Sequence, residues 1–215
     1  IAAGIRWAVQ VPNTEMGDTV LILGHGQRGL GAVVAAREAG ASTIIVTGTS
    51  RSAYKLRLAE ALGADFTIEA DREDTVARVM EITNDRGVDV VLDVVPFSAQ
   101  PIADAVEVAR IGGKVVLSGI KGKDEIVKLD VDRVIYKELS IKGVYSQARD
   151  AYIEAFRMLA ENKYQLERLH THEFTLDRAE EALLTLGRDQ NTDEHPICVS
   201  LHPDTTTMNT LTEEG

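Results

Sequence analysis

Residues 18–41 read DTVLILGHGQRGLGAVVAAREAGA, and the order of residue types along this stretch decides the fold. Thr19–Leu23 is a short, unbroken apolar run, the pattern of a strand buried on both faces. From Gly29 to Glu38 small and apolar residues recur at helical spacing. Between the two, Gly24, Gly26 and Gly29 stand in G-x-G-x-x-G order. Alone that spacing is weak, because glycine-rich octamers arise by chance. Between a strand and a helix it has a mechanism: Gly24 for a tight turn, Gly26 for backbone approach to a pyrophosphate, Gly29 for close helix–strand packing. The helix amino end adds unpaired N–H groups and partial positive charge. Gly24, His25, Gly26, Gln27, Arg28 and Gly29 are therefore read as a dinucleotide loop. His25 is expected to be an exposed x position beside the phosphates, with backbone amides doing the binding.

Outward from this loop, strand and helix patterns alternate. Strands are expected at Thr19–Leu23, Thr43–Thr47, Phe66–Ile68, Val88–Val94, Lys114–Ser118 and Leu139–Val144. Helices are expected at Gly29–Glu38, Ala53–Leu62, Thr75–Ile82, Pro101–Ala109 and Val131–Glu138. Runs such as VDVVLDVV and KVVLS suit a parallel sheet covered on both faces. The expected fold class is α/β: a doubly wound, mostly parallel six-stranded sheet of the Rossmann type, strand order 3-2-1-4-5-6. Residues 1–17 read as a linker with a helix near Gly4–Gln10, and 18–150 as the dinucleotide-binding core. Residues 151–202 carry an amphipathic helix, an extended HTHEF, a second helix in LDRAEEALLTL and a last strand in PICVSL. The Thr-rich end, 203–215, reads as a flexible tail.

Composition narrows the function classes. Against 23 Lys plus Arg stand 34 Asp plus Glu, a net charge of −11, which disfavours nucleic acid and anionic membranes as partners. No apolar run is long enough to span a bilayer. One cysteine, Cys198, allows no internal disulfide, and a buried inert thiol in a cytoplasmic protein is the expectation.

In a sheet of this order, ligands bind at the carboxyl ends of the strands. A carboxylate about twenty residues beyond the loop would accept hydrogen bonds from the adenosine ribose. That count lands on Gly48, and 47–53 contain no acid. Thr49, Ser50 and Arg51 offer neutral donors and a cation instead, which leans the cofactor toward NADP over NAD. Asp93, Val94 and Val95 at one further strand end, and Ser118, Gly119 and Ile120 at the next, should border the nicotinamide. Asp93 reads as a hydrogen-bonded strand-end acid without a catalytic role.

The segments GDTVLILGHGQRGLGAVVAAREAGA, IIVTG, LAEALGAD, GVDVVLDVV, IGGKVVLSGIKG, KELSIKGVYS and HTHEFTLDRAEEAL, in this order, resemble the cofactor-binding half of medium-chain dehydrogenases/reductases, nearest their zinc-type alcohol dehydrogenase branch. The resemblance runs from about Gly4 to Leu201. It implies NAD(P)-dependent hydride transfer between an alcohol or polyol carbon and nicotinamide. The catalytic zinc and most of the pocket for a small alcohol or carbonyl substrate would lie in an N-terminal domain that this chain lacks. Ile1 falls just after the place of the family's last catalytic zinc ligand, so the isolated chain is expected to be inactive. A zinc-free quinone or enone reductase on the same scaffold, or a dinucleotide-binding module without chemistry, are the alternatives. Pairing of two chains through the edge of the sixth strand, LSIKGVYS, is a further expectation. Two departures from the family stand out: the acid-free loop after the second strand, and Pro96 where many relatives carry glycine.

No catalytic constellation is read within the chain. His170 and His172 could place two rings on one side of a strand, but no third ligand is evident nearby, so a structural role is expected and no metal site.

Overall fold

The computed structural model describes residues 1–187 and 196–203. The chain forms two units, Ile1–Tyr164 and Gln165–Gly215. The expected flexible tail lies, from residue 204 on, outside the described residues, as does His195.

The first unit begins with α1 (Ala2–Gly4), which runs on as a wider π-helical turn over Ile5–Gln10 and buries Trp7. There follow β1 (Thr19–Leu23), α2 (Gln27–Glu38), β2 (Thr43–Gly48), α3 (Ala53–Ala61) and β3 (Phe66–Glu69). The second half carries α4 (Thr75–Ile82), β4 (Val88–Asp93), α5 (Gln100–Val108), β5 (Ala109–Leu117), α6 (Val131–Tyr136) and β6 (Ser140–Gly143). The helix α7 (Arg149–Glu161) closes the unit. The six strands are parallel, in the order β3-β2-β1-β4-β5-β6. Val20, Leu21 and Ile22 of the central strand have no exposed surface, because helices cover both faces of the sheet. Side chains from β1, β2, β3, β4 and β5 meet those of α4 and α5 in one core, with Leu21, Ile45, Ile68, Val79, Val91, Ala105 and Val115 all at 0% exposure. Helix starts follow local chemistry. Asp74 accepts the Ala77 N–H at 3.0 Å ahead of α4, and Asp130 caps α6 in the same way.

Where boundaries differ from the sequence reading, turn chemistry explains it. β5 starts at Ala109 rather than Lys114: Ala109 pairs with Val88, the register then shifts, and Gly112 at φ +72° absorbs the irregularity. The glycine pair in ARIGG looks like a loop and conceals this first part of the strand. α6 stops two residues short of Glu138, which sits at φ +52°. β4 ends at Asp93, with the Val94 N–H still donating to the Leu23 carbonyl at 3.0 Å.

The second unit holds β7 (His170–Thr175), α8 (Ala179–Gly187) and β8 (Cys198–His202), with β7 and β8 forming a two-stranded parallel sheet. Cys198 is half-buried rather than buried, in a sheet that has two strands among the described residues. His170 Nε2 lies 2.7 Å from Ser200 Oγ and His172 Nδ1 lies 2.9 Å from Thr171 Oγ1, so both rings make local hydrogen bonds. Among the described residues no group of three or more His, Cys, Asp or Glu could hold a metal ion. No described helix is long and apolar enough to cross a membrane.

Candidate functional site

The register puts the carboxyl ends of five strands in one row: Leu23 opposite Thr47 and Asp93, Asp93 opposite Leu117, and Leu117 opposite Gly143. The chain reverses its winding between β1 and β4, so a crevice opens above that pair. The glycine loop lies at its mouth. Gly24 turns at φ +109°, which favours glycine, and its N–H still donates to the Thr47 carbonyl at 3.2 Å. Gly26 caps α2 in an extended conformation, and a Cβ placed on it would meet nothing within 4 Å. A Cβ on Gly29 would instead overlap the Gly24 carbonyl oxygen. The backbone around Gly26 is thus open to a ligand while Gly29 holds helix against strand. No acid occupies the first turn of α2, and Arg28 stacks on the buried Trp7 ring at 5.7 Å. An anion meets open amides, a helix amino end and one cation. A diphosphate fits that cradle.

At the end of β2, His25 departs from the expectation of an exposed x position. It is half-buried, and its ring packs so close to Gly48 that a Cβ there would overlap it. Beyond Gly48, Thr49 and Arg51 are exposed. Ser50 is engaged: its N–H donates to Asp71 Oδ1 at 2.7 Å and its hydroxyl to Asp71 Oδ2 at 2.6 Å. These bonds hold the Asp71 carboxyl below the usual carboxylate range, so it is ionised at neutral pH. The acid absent from 47–53 is therefore supplied in space by the loop after β3.

Between β4 and β5 the expected residues meet. Asp93 has no exposed surface; its Oδ1 accepts the Val95 N–H at 3.0 Å and its Oδ2 lies 2.7 Å from Lys121 Nζ. Burial pushes the Asp93 carboxyl up, against the pull of Lys121 and the Val95 N–H. The Asp93 carbonyl accepts from the N–H groups of Ser118 and Gly119 and from the Ser118 hydroxyl, while Lys121 Nζ donates to the Val95 carbonyl at 2.5 Å. One buried ion pair thereby clamps the two loops to each other. In front of them opens a cavity of about 440 Å³, lined by Trp7, Arg28, Val94, Pro96, Phe97, Ser118, Gly119, Ile120 and residues 144–147. Val94, Ser118, Gly119 and Ile120 were expected here, and Arg28 was expected at the diphosphate loop. Lys121, which the sequence places at the same strand end, does not line the cavity but pairs with Asp93. Phe97 just past the β4 end, and Trp7 and Tyr145 from segments distant in sequence, were not expected.

With this geometry in view, comparison with known proteins is specific. A family model for zinc-binding dehydrogenases matches residues 29–161. Over 193 residues, 89% of this chain and 52% of the relative, the sequence is 36% identical to "Probable alcohol dehydrogenase adh" of Mycobacterium tuberculosis. It is 33% identical to sorbitol dehydrogenase of Bacillus subtilis over 182 residues, 85% of this chain and 50% of that protein. Among solved structures, a protein of Sinorhizobium meliloti 1021 described as a zinc-binding dehydrogenase and solved bound to NADP superimposes with a TM-score of 0.81. It shares 27% identity, over 94% of this chain and 57% of that one. The chain spans about half the length of the curated relatives it matches. Matched over more than half its residues by the family model and folded as its members are, the chain belongs to the zinc-binding dehydrogenase family.

Proposed function

We propose that residues 18–150 bind a nicotinamide dinucleotide and present it for hydride transfer to or from a small alcohol or carbonyl substrate, in a zinc-dependent alcohol or polyol dehydrogenase. The observation that carries this reading is the glycine loop at the sheet's reversal point, where Gly24, Gly26 and Gly29 leave an open backbone cradle ahead of α2. The bound dinucleotide would supply the hydride acceptor or donor. The chain's own residues would position it: Gly24–Gly29 around the diphosphate, Gly48–Arg51 beside the adenosine ribose, and Val94, Val95 and Ser118–Ile120 along the nicotinamide. Val94 and Ile120 offer apolar surface to a ring face, and the Asp93–Lys121 clamp fixes the loops that carry them. The family's zinc would polarise the substrate oxygen as a Lewis acid.

The sequence leans toward NADP through Thr49, Ser50 and Arg51, and the S. meliloti relative was solved with NADP. Against that lean stands Asp71, which places a carboxylate on Ser50. Two further parts of the proposal are a cytoplasmic setting and a homodimer through β6, which among the described residues pairs with β5 alone and forms one edge of the sheet. The test is fluorescence titration of the chain with NADH and NADPH. Saturable binding of at least one is expected; absent or only millimolar binding of both overturns the proposal.

A further inference from the structure

We infer that Asp71 sets the cofactor preference of this chain toward the dinucleotide without a 2′-phosphate, an inference that rests on the dinucleotide reading above. Asp71 is pinned to the end of β2 from two directions. The Ala70 N–H donates to the Gly48 carbonyl at 2.8 Å, and Ser50 grips both Asp71 oxygens through its N–H and hydroxyl. The paired strand ends, Gly48 beside Glu69, bring this loop to the position where an adenosine ribose would lie beyond the glycine loop.

Two consequences follow from the chemistry. Ser50, one of the neutral donors that the sequence offers to a phosphate, already donates twice to a carboxylate. An ionised carboxylate has roughly four lone-pair sites, so two remain to accept from the 2′- and 3′-hydroxyls of an unmodified ribose. A 2′-phosphate offers no such donor, and sets its own negative charge against Asp71. The surrounding loop deepens the repulsion: Glu69, Glu73 and Asp74 flank Asp71, while Arg72 is paired with Glu69 at 2.9 Å. Arg51 pulls the other way, from an exposed position where water screens it. Two like unit charges a few ångströms apart at a wet surface change an affinity by about tenfold.

The experiment is isothermal titration of the whole chain at low salt with adenosine 5′-monophosphate and adenosine 2′,5′-bisphosphate, which probe the adenosine end alone, and with NADH and NADPH. Wild type should favour the ligands lacking the 2′-phosphate by about tenfold. Asp71→Asn removes the charge and keeps the shape. It should tighten the 2′-phosphorylated ligands by about the same factor while leaving the others equal or weaker, and Asp71→Ser should do likewise. Circular dichroism identifies any variant that has lost its fold, and the wild-type preference then decides alone. A wild type that prefers the bisphosphate, or folded variants that change both ligand classes by one factor, overturns the inference and leaves dinucleotide binding standing. Failure of every protein to bind any of the four ligands overturns both.

Discussion

Replacing Lys121 with methionine should destabilise the chain by about 3 kcal/mol at pH 8, and the deficit should shrink in acid. Lys121 Nζ lies 2.7 Å from Asp93 Oδ2, and the two side chains are 10% and 0% exposed. Removing one partner of a buried pair leaves an uncompensated charge, which costs about 3–5 kcal/mol. The lower end applies here, because the Val95 N–H still solvates the carboxylate at 3.0 Å. About 1 kcal/mol of the loss belongs to the hydrogen bond from Lys121 to the Val95 carbonyl and should be independent of pH. The remainder should titrate. Burial already holds the folded Asp93 carboxyl above its ordinary range, and without the lysine it rises further. Because the folded value exceeds the unfolded one, ionising Asp93 costs stability above its folded value, and protonation relieves that cost as pH falls through it. Urea midpoints at pH 8, 6.5 and 5 measure this directly. The double variant Asp93→Asn with Lys121→Met should recover more than half of the pH 8 loss, since an amide needs no counter-ion. A deficit that is flat with pH and unrelieved by Asp93→Asn would refute the reasoning.

Three other outcomes are expected. Gly29→Ala puts a methyl onto the Gly24 carbonyl oxygen; it should cost about 1–3 kcal/mol by overpacking and weaken NADH and NADPH at least tenfold, read by thermal melting and titration. Asp89 is buried, yet the Thr19 N–H at 2.8 Å, Arg110 and Arg86 outweigh the upward push of burial and hold its carboxyl below the usual range. Its stabilisation is therefore present above the ordinary aspartate value and lost as pH falls through the lower folded one. Asp89→Asn should cost about 2 kcal/mol at pH 7 and converge with wild type in acid denaturation. Lys137 Nζ donates to the carbonyls of Val106, Glu107 and Ala109 at the end of α5, so Lys137→Met should lower the urea midpoint by the equivalent of about 1–3 kcal/mol.

Local pattern made much of this molecule legible. Thr19–Leu23 and Thr75–Ile82 read with their observed bounds, because an unbroken apolar run and a capped amphipathic helix are properties of neighbours in sequence. The strand order was legible too, since alternating strands and helices with right-handed crossovers leave few arrangements. β5 was harder to read, because its pairing from Ala109 depends on Val88 of another strand rather than on the glycines beside it.

By itself the sequence determined the doubly wound sheet, the glycine cradle and its place at the sheet's reversal, all of which follow from short-range spacing. Only the tertiary structure decided the charge beside the end of β2 and the shape of the cavity. Parallel pairing of β2 and β3 carries Asp71 to Ser50 across 21 residues of chain, and the sheet's packing brings Trp7 and Arg28 to the same cavity as Ser118 and residues 144–147. Hydrogen bonds and ion pairs act over a few ångströms whatever the separation along the chain, so residues 47–53 contain no acid while the folded chain sets Asp71 against Ser50.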